Sequence, residues 1–203
     1  MPKFMTVTDG KTADITAGRE IDFPKGSIVV CDRGYTDYQW YNDLSNKGIF
    51  FVSRLKKNAR YRVVKTHEVP KNKGVVSDET IALVARKYKG YRHLRRVKYI
   101  DKNHQDGPKT YVFVTNHFKL SPRTIADIYK SRWEVELFFK WIKQNLKIKS
   151  FLGESKNAVM TQIWVAMCAY LIVNFIKVQS KTTKTMRQVL RLLSLNAFEK
   201  MTL

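Results

Sequence analysis

The stretch from Ser121 to Ser150 constrains the chain most. It reads as one helix: Ser121 can cap it, Pro122 suits its first turn, and apolar residues recur at Ile125, Ile128, Leu137, Phe138, Trp141 and Ile142. At about 100° per residue, Tyr129, Arg132, Lys140 and Lys143 fall within roughly 40° of Glu136. One carboxylate thus shares a line with a phenol and three cations. Tyr129 and Lys143 are about 21 Å apart along such an axis. That length suits a nucleic-acid backbone better than a small molecule. Charged helix faces are usually just solvated, so the pattern needs support elsewhere in the chain.

The support is upstream. Ser27-Ile-Val-Val-Cys-Asp32-Arg-Gly-Tyr35 is a compact β-branched run of the kind buried in parallel sheets. It ends on an aspartate where open α/β sheets place their ligands. An Asp in that position can also merely cap the next turn. Taken together, the spacing Y-x2-R-x3-E-x6-K and the motif D-R-G-Y, in this order, resemble the DDE transposases of the IS-four family of bacterial insertion sequences. The resemblance implies an α/β, ribonuclease H-like fold with an antiparallel β insertion and C-terminal helices. It implies that Asp32 and Glu136 are catalytic and hold Mg2+ or Mn2+, and that Tyr129, Arg132, Lys140 and Lys143 hold DNA. Hard divalent ions take carboxylate oxygens, and a pair of them can activate a nucleophile and stabilise a leaving oxygen in phosphodiester chemistry. The resemblance further implies double-stranded DNA as partner (transposon ends and target), a homodimer in the intact protein, and a bacterial cytoplasmic, nucleoid-associated location.

Charge agrees with an anionic partner. The 203 residues include 38 Lys and Arg against 17 Asp and Glu, a net charge of +21. Such an excess opposes compaction unless an anion answers it, and nucleic acid comes first, a membrane surface second. With 44% apolar residues the chain is not of the disordered class. Cys31 and Cys168 both sit in apolar runs and read as buried hydrophobes. The four histidines show no spacing with cysteine that suggests zinc. The uncharged stretch from Asn157 to Ile176 is long enough to raise a transmembrane question, but its polar residues favour a buried core helix. No membrane association is expected.

In chain order, Phe4 to Thr8 reads as a short strand, Asp14 to Ile21 as a helix, Ser27 to Cys31 as a strand, Tyr38 to Ser45 as a helix and Ile49 to Arg54 as a strand. Short links make the strand–helix–strand segment a right-handed parallel crossover. Runs at Tyr61 to Val64, Ile81 to Ala85, His93 to Ile100 and Thr110 to Thr115 predict antiparallel strands. Basic clusters from Arg54 to Lys65 and from Arg86 to Lys98, with Tyr61, Tyr88, Tyr91 and Tyr99 among them, predict a DNA-backbone face that positions a duplex without reading it. The expected division is a partial ribonuclease H-like core over 1–55, a β-rich insertion over 56–118 and a helical part carrying Glu136 over 119–203.

The resemblance calls for a third acid, at the end of a strand preceding Phe4. Neither Asp9 nor Asp14 is assigned to that role, because Asp9-Gly-Lys-Thr-Ala-Asp14 resembles a later segment of the family. The expectation is therefore a fold lacking its first two strands, with Ser27 to Cys31 at an edge, in a truncated copy that is inactive in cleavage by itself. Two alternatives stand beside the enzyme: a non-catalytic DNA-binding piece of a transposase, and an unrelated basic RNA-binding protein. The last leaves both motifs unexplained.

Overall fold

A computed structural model describes residues 13–70, 74–102, 107–146 and 151–196. The predicted strand at Phe4 to Thr8 and the end of the long helix at Ser150 lie outside the described residues. The chain divides into two compact units between Trp133 and Glu134.

The first unit is built on one six-stranded sheet. Its strands are β1 (Ile28–Cys31), β2 (Phe50–Arg54), β3 (Tyr61–His67), β4 (Val75–Leu83), β5 (Leu94–Asp101) and β6 (Lys109–Thr115), in the order β1-β2-β6-β5-β4-β3. β1 and β2 are parallel, with Cys31 opposite Ser53, and all other pairs are antiparallel. The crossover between the parallel pair is α2 (Tyr38–Asn46), which Asp37 caps by accepting the Trp40 N–H at 2.9 Å. Strand and helix bounds lie within about three residues of those read from the sequence except in β4, which begins at Val75 where the reading began at Ile81. β6 pairs with β2, so the sheet crosses residue 55 without a break. Asn116 fastens that join: its Nδ2 donates to Ser45 Oγ and to the Ile49 carbonyl, and its Oδ1 accepts the Phe51 N–H, each at 2.9 Å. Among the described strands, β1 stands at one end of the order.

Alternation along the strands fills both faces. Phe51 and Val114 point to the side of α2, in a cluster with Trp40, Tyr41, Leu44 and Ile81. Val52 and Phe113 point the other way, to a cluster with Ile125, Ala126 and Tyr129 of α3 (Pro122–Ser131). A short helix, α1 (Asp14–Glu20), adds Ile15 to the first cluster. Each fully buried large side chain here is worth roughly 1.5–3 kcal/mol.

The second unit contains α4 (Trp133–Asn145), α5 (Lys156–Gln179) and α6 (Met186–Asn196). Ile142 of α4 packs with Ala166 and Met167 of α5, and the Tyr170 ring meets Phe138 and Trp141 edge-on at 4.7 and 5.3 Å.

Three expectations need correction. The stretch from Ser121 is not one helix, because α3 ends at Ser131 and α4 begins at Trp133. The cause is local. The Ser131 hydroxyl donates to the Ile128 carbonyl at 2.7 Å, the acceptor that the Arg132 N–H would use in a continuous helix. The Arg132 N–H turns instead to the Tyr129 carbonyl at 3.1 Å, a tighter closing turn. The charged line is therefore shared between two helices. Second, α5 is long and apolar enough to cross a membrane by length and composition, yet it is not the buried core helix expected. Only 17% of its apolar window is buried, and Trp164, Val165, Ile172, Phe175 and Val178 are exposed. Its described partners, α4 and α6, are shorter and cover only part of its surface. Third, Cys31 is buried but Cys168, on α5, is exposed.

Candidate functional site

The two parallel strands end side by side. The register that sets Cys31 against Ser53 brings Asp32, just past β1, beside Arg54, the last residue of β2. The Ser53 hydroxyl donates to the Asp32 carbonyl at 3.3 Å, tying the two ends. Asp32 has two occupations. One carboxylate oxygen accepts the Arg33 N–H and caps the 3-10 turn Arg33–Tyr35. The other lies 3.5 Å from Nη1 of Arg132. The capping role and the site role weighed from sequence thus coexist on one side chain.

Arg132 reaches Asp32 from the end of α3. That helix is placed by its buried face and by its cap, where Ser121 Oγ accepts the Thr124 N–H at 3.1 Å. The guanidinium also stands over the Tyr129 ring, 5.5 Å from its centre. Its side chain is 16% exposed and that of Asp32 49%, so the carboxylate opens to solvent while the cation is largely held. Burial pushes the Tyr129 phenol above its ordinary value; Asp32 acts in the same direction, and Arg132 and Arg54 oppose it. Burial likewise raises the Cys31 thiol beneath the site, against hydrogen bonds from Ser53 and Tyr41.

Asp32, Tyr129 and Arg132 therefore come together. Tyr129 does so differently from expectation: its ring is 3% exposed, 5.0 Å from the Phe113 ring, so it offers no open face to a base. It acts on Arg132, as a floor under the guanidinium. Glu136, Lys140 and Lys143 lie on α4 in the second unit, all exposed and at one-turn and two-turn spacings along that helix. Arg54 was read from sequence only as one member of a basic cluster. The parallel register is the signal that singles it out, since it is the β2 residue next to Asp32.

The basic clusters are also thinner than their sequence suggests. Acids from β4 meet two of the arginines across strands. Arg95 is buried in a two-pronged pair with Asp78, at 2.8 and 2.6 Å, and Arg96 contacts Glu79 at 2.7 Å. Sequence adjacency hides these acids, because cross-strand partners are distant along the chain.

Among the described residues, no three His, Cys, Asp or Glu side chains converge as a metal cluster. Asp32 is a half-exposed hard oxygen donor, which fits a divalent cation in kind. Mg2+ commonly takes one or two protein carboxylates and completes its shell with water and substrate phosphate oxygens.

Comparison with known proteins bears on the same stretch. Residues 1–172 match the family model described as the transposase DDE domain. Protein y4zB of Sinorhizobium fredii, named as a transposase, is 36% identical over 84% of this chain and 48% of its own length. A Geobacillus stearothermophilus protein, named as the transposase for insertion sequence element IS5377, is 30% identical over 89% of this chain and 47% of its own length. A Synechocystis protein, named as the transposase for insertion sequence element IS4SA, is 25% identical over 98% of this chain and 56% of its own length. The chain thus spans about half the length of the curated relatives it matches. With the matched region running from before Asp32 to well beyond Glu136, this chain belongs to the transposase DDE-domain family.

Proposed function

We propose that this chain carries the second and third acids, and the DNA-holding cations, of an IS-four-type transposase with the Y-R-E-K signature on a ribonuclease H-like core. Asp32 and Glu136 are the metal-binding carboxylates, for Mg2+ or Mn2+. Arg132, Lys140 and Lys143 hold the phosphate backbone of double-stranded DNA at transposon ends and target, and Tyr129 positions Arg132. The intact protein acts as a homodimer in the bacterial cytoplasm. The observation that carries the reading is the approach of Arg132 to Asp32 at the open ends of two parallel strands. A carboxylate and a guanidinium side by side suit a phosphodiester: Arg can fork two phosphate oxygens while the acid faces the reacting phosphorus.

When bound, a divalent ion would activate the attacking oxygen and stabilise the leaving one. The protein's own part is to orient. The Arg33 N–H fixes one Asp32 oxygen, and α3 presents Arg132 to the other. Lys140 and Lys143 follow Glu136 at one-turn and two-turn spacings on α4. Duplex binding is the activity that these assigned residues support.

The experiment is a nicking assay on supercoiled plasmid with Mg2+ or Mn2+, run beside duplex binding at several salt concentrations. Binding that falls steeply with salt and no nicking is the expected result. Divalent-dependent nicking that Glu136→Gln abolishes would show that another acid completes the site. Absence of duplex binding at low salt would sink the reading altogether. A cysteine pair, Asp32→Cys with Glu136→Cys, tests whether the two positions meet: ready crosslinking is expected.

A further inference from the structure

Beyond the D-R-G-Y turn, the first unit opens a groove of about 650 Å³ that the proposed site does not use. Three loops line it: the start of α2, the β2–β3 loop and the β4–β5 loop. Its rings are Tyr38, Tyr88 and Tyr91, and its cations are Lys56, Arg60 and Lys87. Tyr38 and Tyr88 meet edge-on at 5.2 Å, and Tyr88 and Tyr91 stand 5.4 Å apart. The Lys87 ammonium lies over the Tyr88 ring at 5.0 Å. The one lining acid, Asp37, is already engaged: Arg19 holds it at 2.7 Å, and its other oxygen caps α2. The Tyr38 hydroxyl is buried without a hydrogen-bond partner. The groove therefore offers aromatic rings and a net positive rim.

We infer that this groove binds an unpaired stretch of DNA strand, its bases against the tyrosines and its phosphates on Lys56, Arg60 and Lys87. The volume lies within the ~300–1,000 Å³ range of pockets that enclose small ligands. A duplex can only lie across such a mouth, whereas an unpaired strand can lower bases into it. Aromatic faces beside a cationic track are the general means of holding single strands without sequence preference. The inference rests on the nucleic-acid reading of the chain but concerns different residues.

The test uses the full chain and two fluorescent probes, a single-stranded oligothymidine and a duplex of equal length, read by anisotropy. Replacing Tyr88→Ala together with Tyr91→Ala should weaken oligothymidine binding about tenfold or more, as loss of base stacking does. Duplex affinity should stay within about twofold, and Tyr88→Phe with Tyr91→Phe should bind both probes like the parent. Far-UV circular dichroism confirms the fold of each variant. Equal losses on both probes, unchanged oligothymidine binding, or a Phe pair as weak as the Ala pair would each overturn the inference. Loss of duplex binding by the parent would instead strike the function proposed above.

Discussion

The guanidinium of Arg132 stands 3.5 Å from the carboxylate of Asp32, although a hundred residues of sheet separate them in sequence. The pair links the end of a parallel strand to the end of a helix on the opposite face. In duplex binding, Arg132→Ala should remove one charge-assisted phosphate contact, of about 1.5–3 kcal/mol, or roughly a 10- to 150-fold loss. The slope of log affinity against log salt should fall by about one. Titrations at three salt concentrations check both, and an unchanged slope would take Arg132 out of the DNA contact.

Tyr129 separates packing from polarity. Its buried ring predicts that Tyr129→Ala costs about 3–5 kcal/mol in a urea melt. Tyr129→Phe keeps the ring beneath Arg132 and should change stability by less than about 1.5 kcal/mol. If the ring is the floor for the guanidinium, the Phe variant also keeps parental DNA affinity. A Phe variant as weak as Arg132→Ala would assign the work to the hydroxyl.

The Arg95–Asp78 pair is buried, and Arg95 Nη1 also donates to the carbonyls of His117 at 3.0 Å and Leu120 at 2.6 Å. It therefore braces the loop that launches α3. Breaking it with Asp78→Ala should cost roughly 3–5 kcal/mol, since a buried cation loses its partner. A matched apolar pair, Asp78→Leu with Arg95→Met, should recover only part of that, because two carbonyls stay unmet. Urea midpoints decide it; full recovery would show that the brace is dispensable.

His117 supplies a pH dependence. Burial, then Arg95 and Lys119, hold its imidazole below the ordinary value near 6.5. The unfolded chain therefore takes up this proton at a higher pH than the folded one. Stability from this group is complete above about pH 6.5 and declines as pH falls from there through the folded value. Melts from pH 8 to 5 should show that slope, and His117→Asn should flatten it.

Thiol chemistry reads the helical unit. Cys168 is exposed and Cys31 buried with a raised pKa, so a thiol reagent should label one cysteine per native chain quickly. Cys168→Ser should abolish the fast phase. No fast thiol would contradict the surface described for α5, and two would contradict the burial of Cys31 on β1.

Much of this was open to reading because it is written locally. The β-branched run before Asp32, the Ser121 cap and the short strands all act within a few residues. Cross-strand matters were not. Asp78 and Glu79 neutralise Arg95 and Arg96 from another strand, and only the parallel register puts Arg54 beside Asp32. The break at Arg132 turned on one serine hydroxyl, a competitor that apolar periodicity cannot register. The exposure of α5 depends on how much surface its neighbours cover, which no spacing rule states.

The sheet order has a kinetic corollary. β3 to β6 follow one another as neighbours and can zip by short loop closures, whereas Val52 must find Thr115 across the whole meander. The parallel end bearing Asp32 would then assemble last and open first. Amide exchange at Ile28 to Cys31 would outpace that at Val97 and Phe113, leaving the reactive rim the softest part of an otherwise locked sheet.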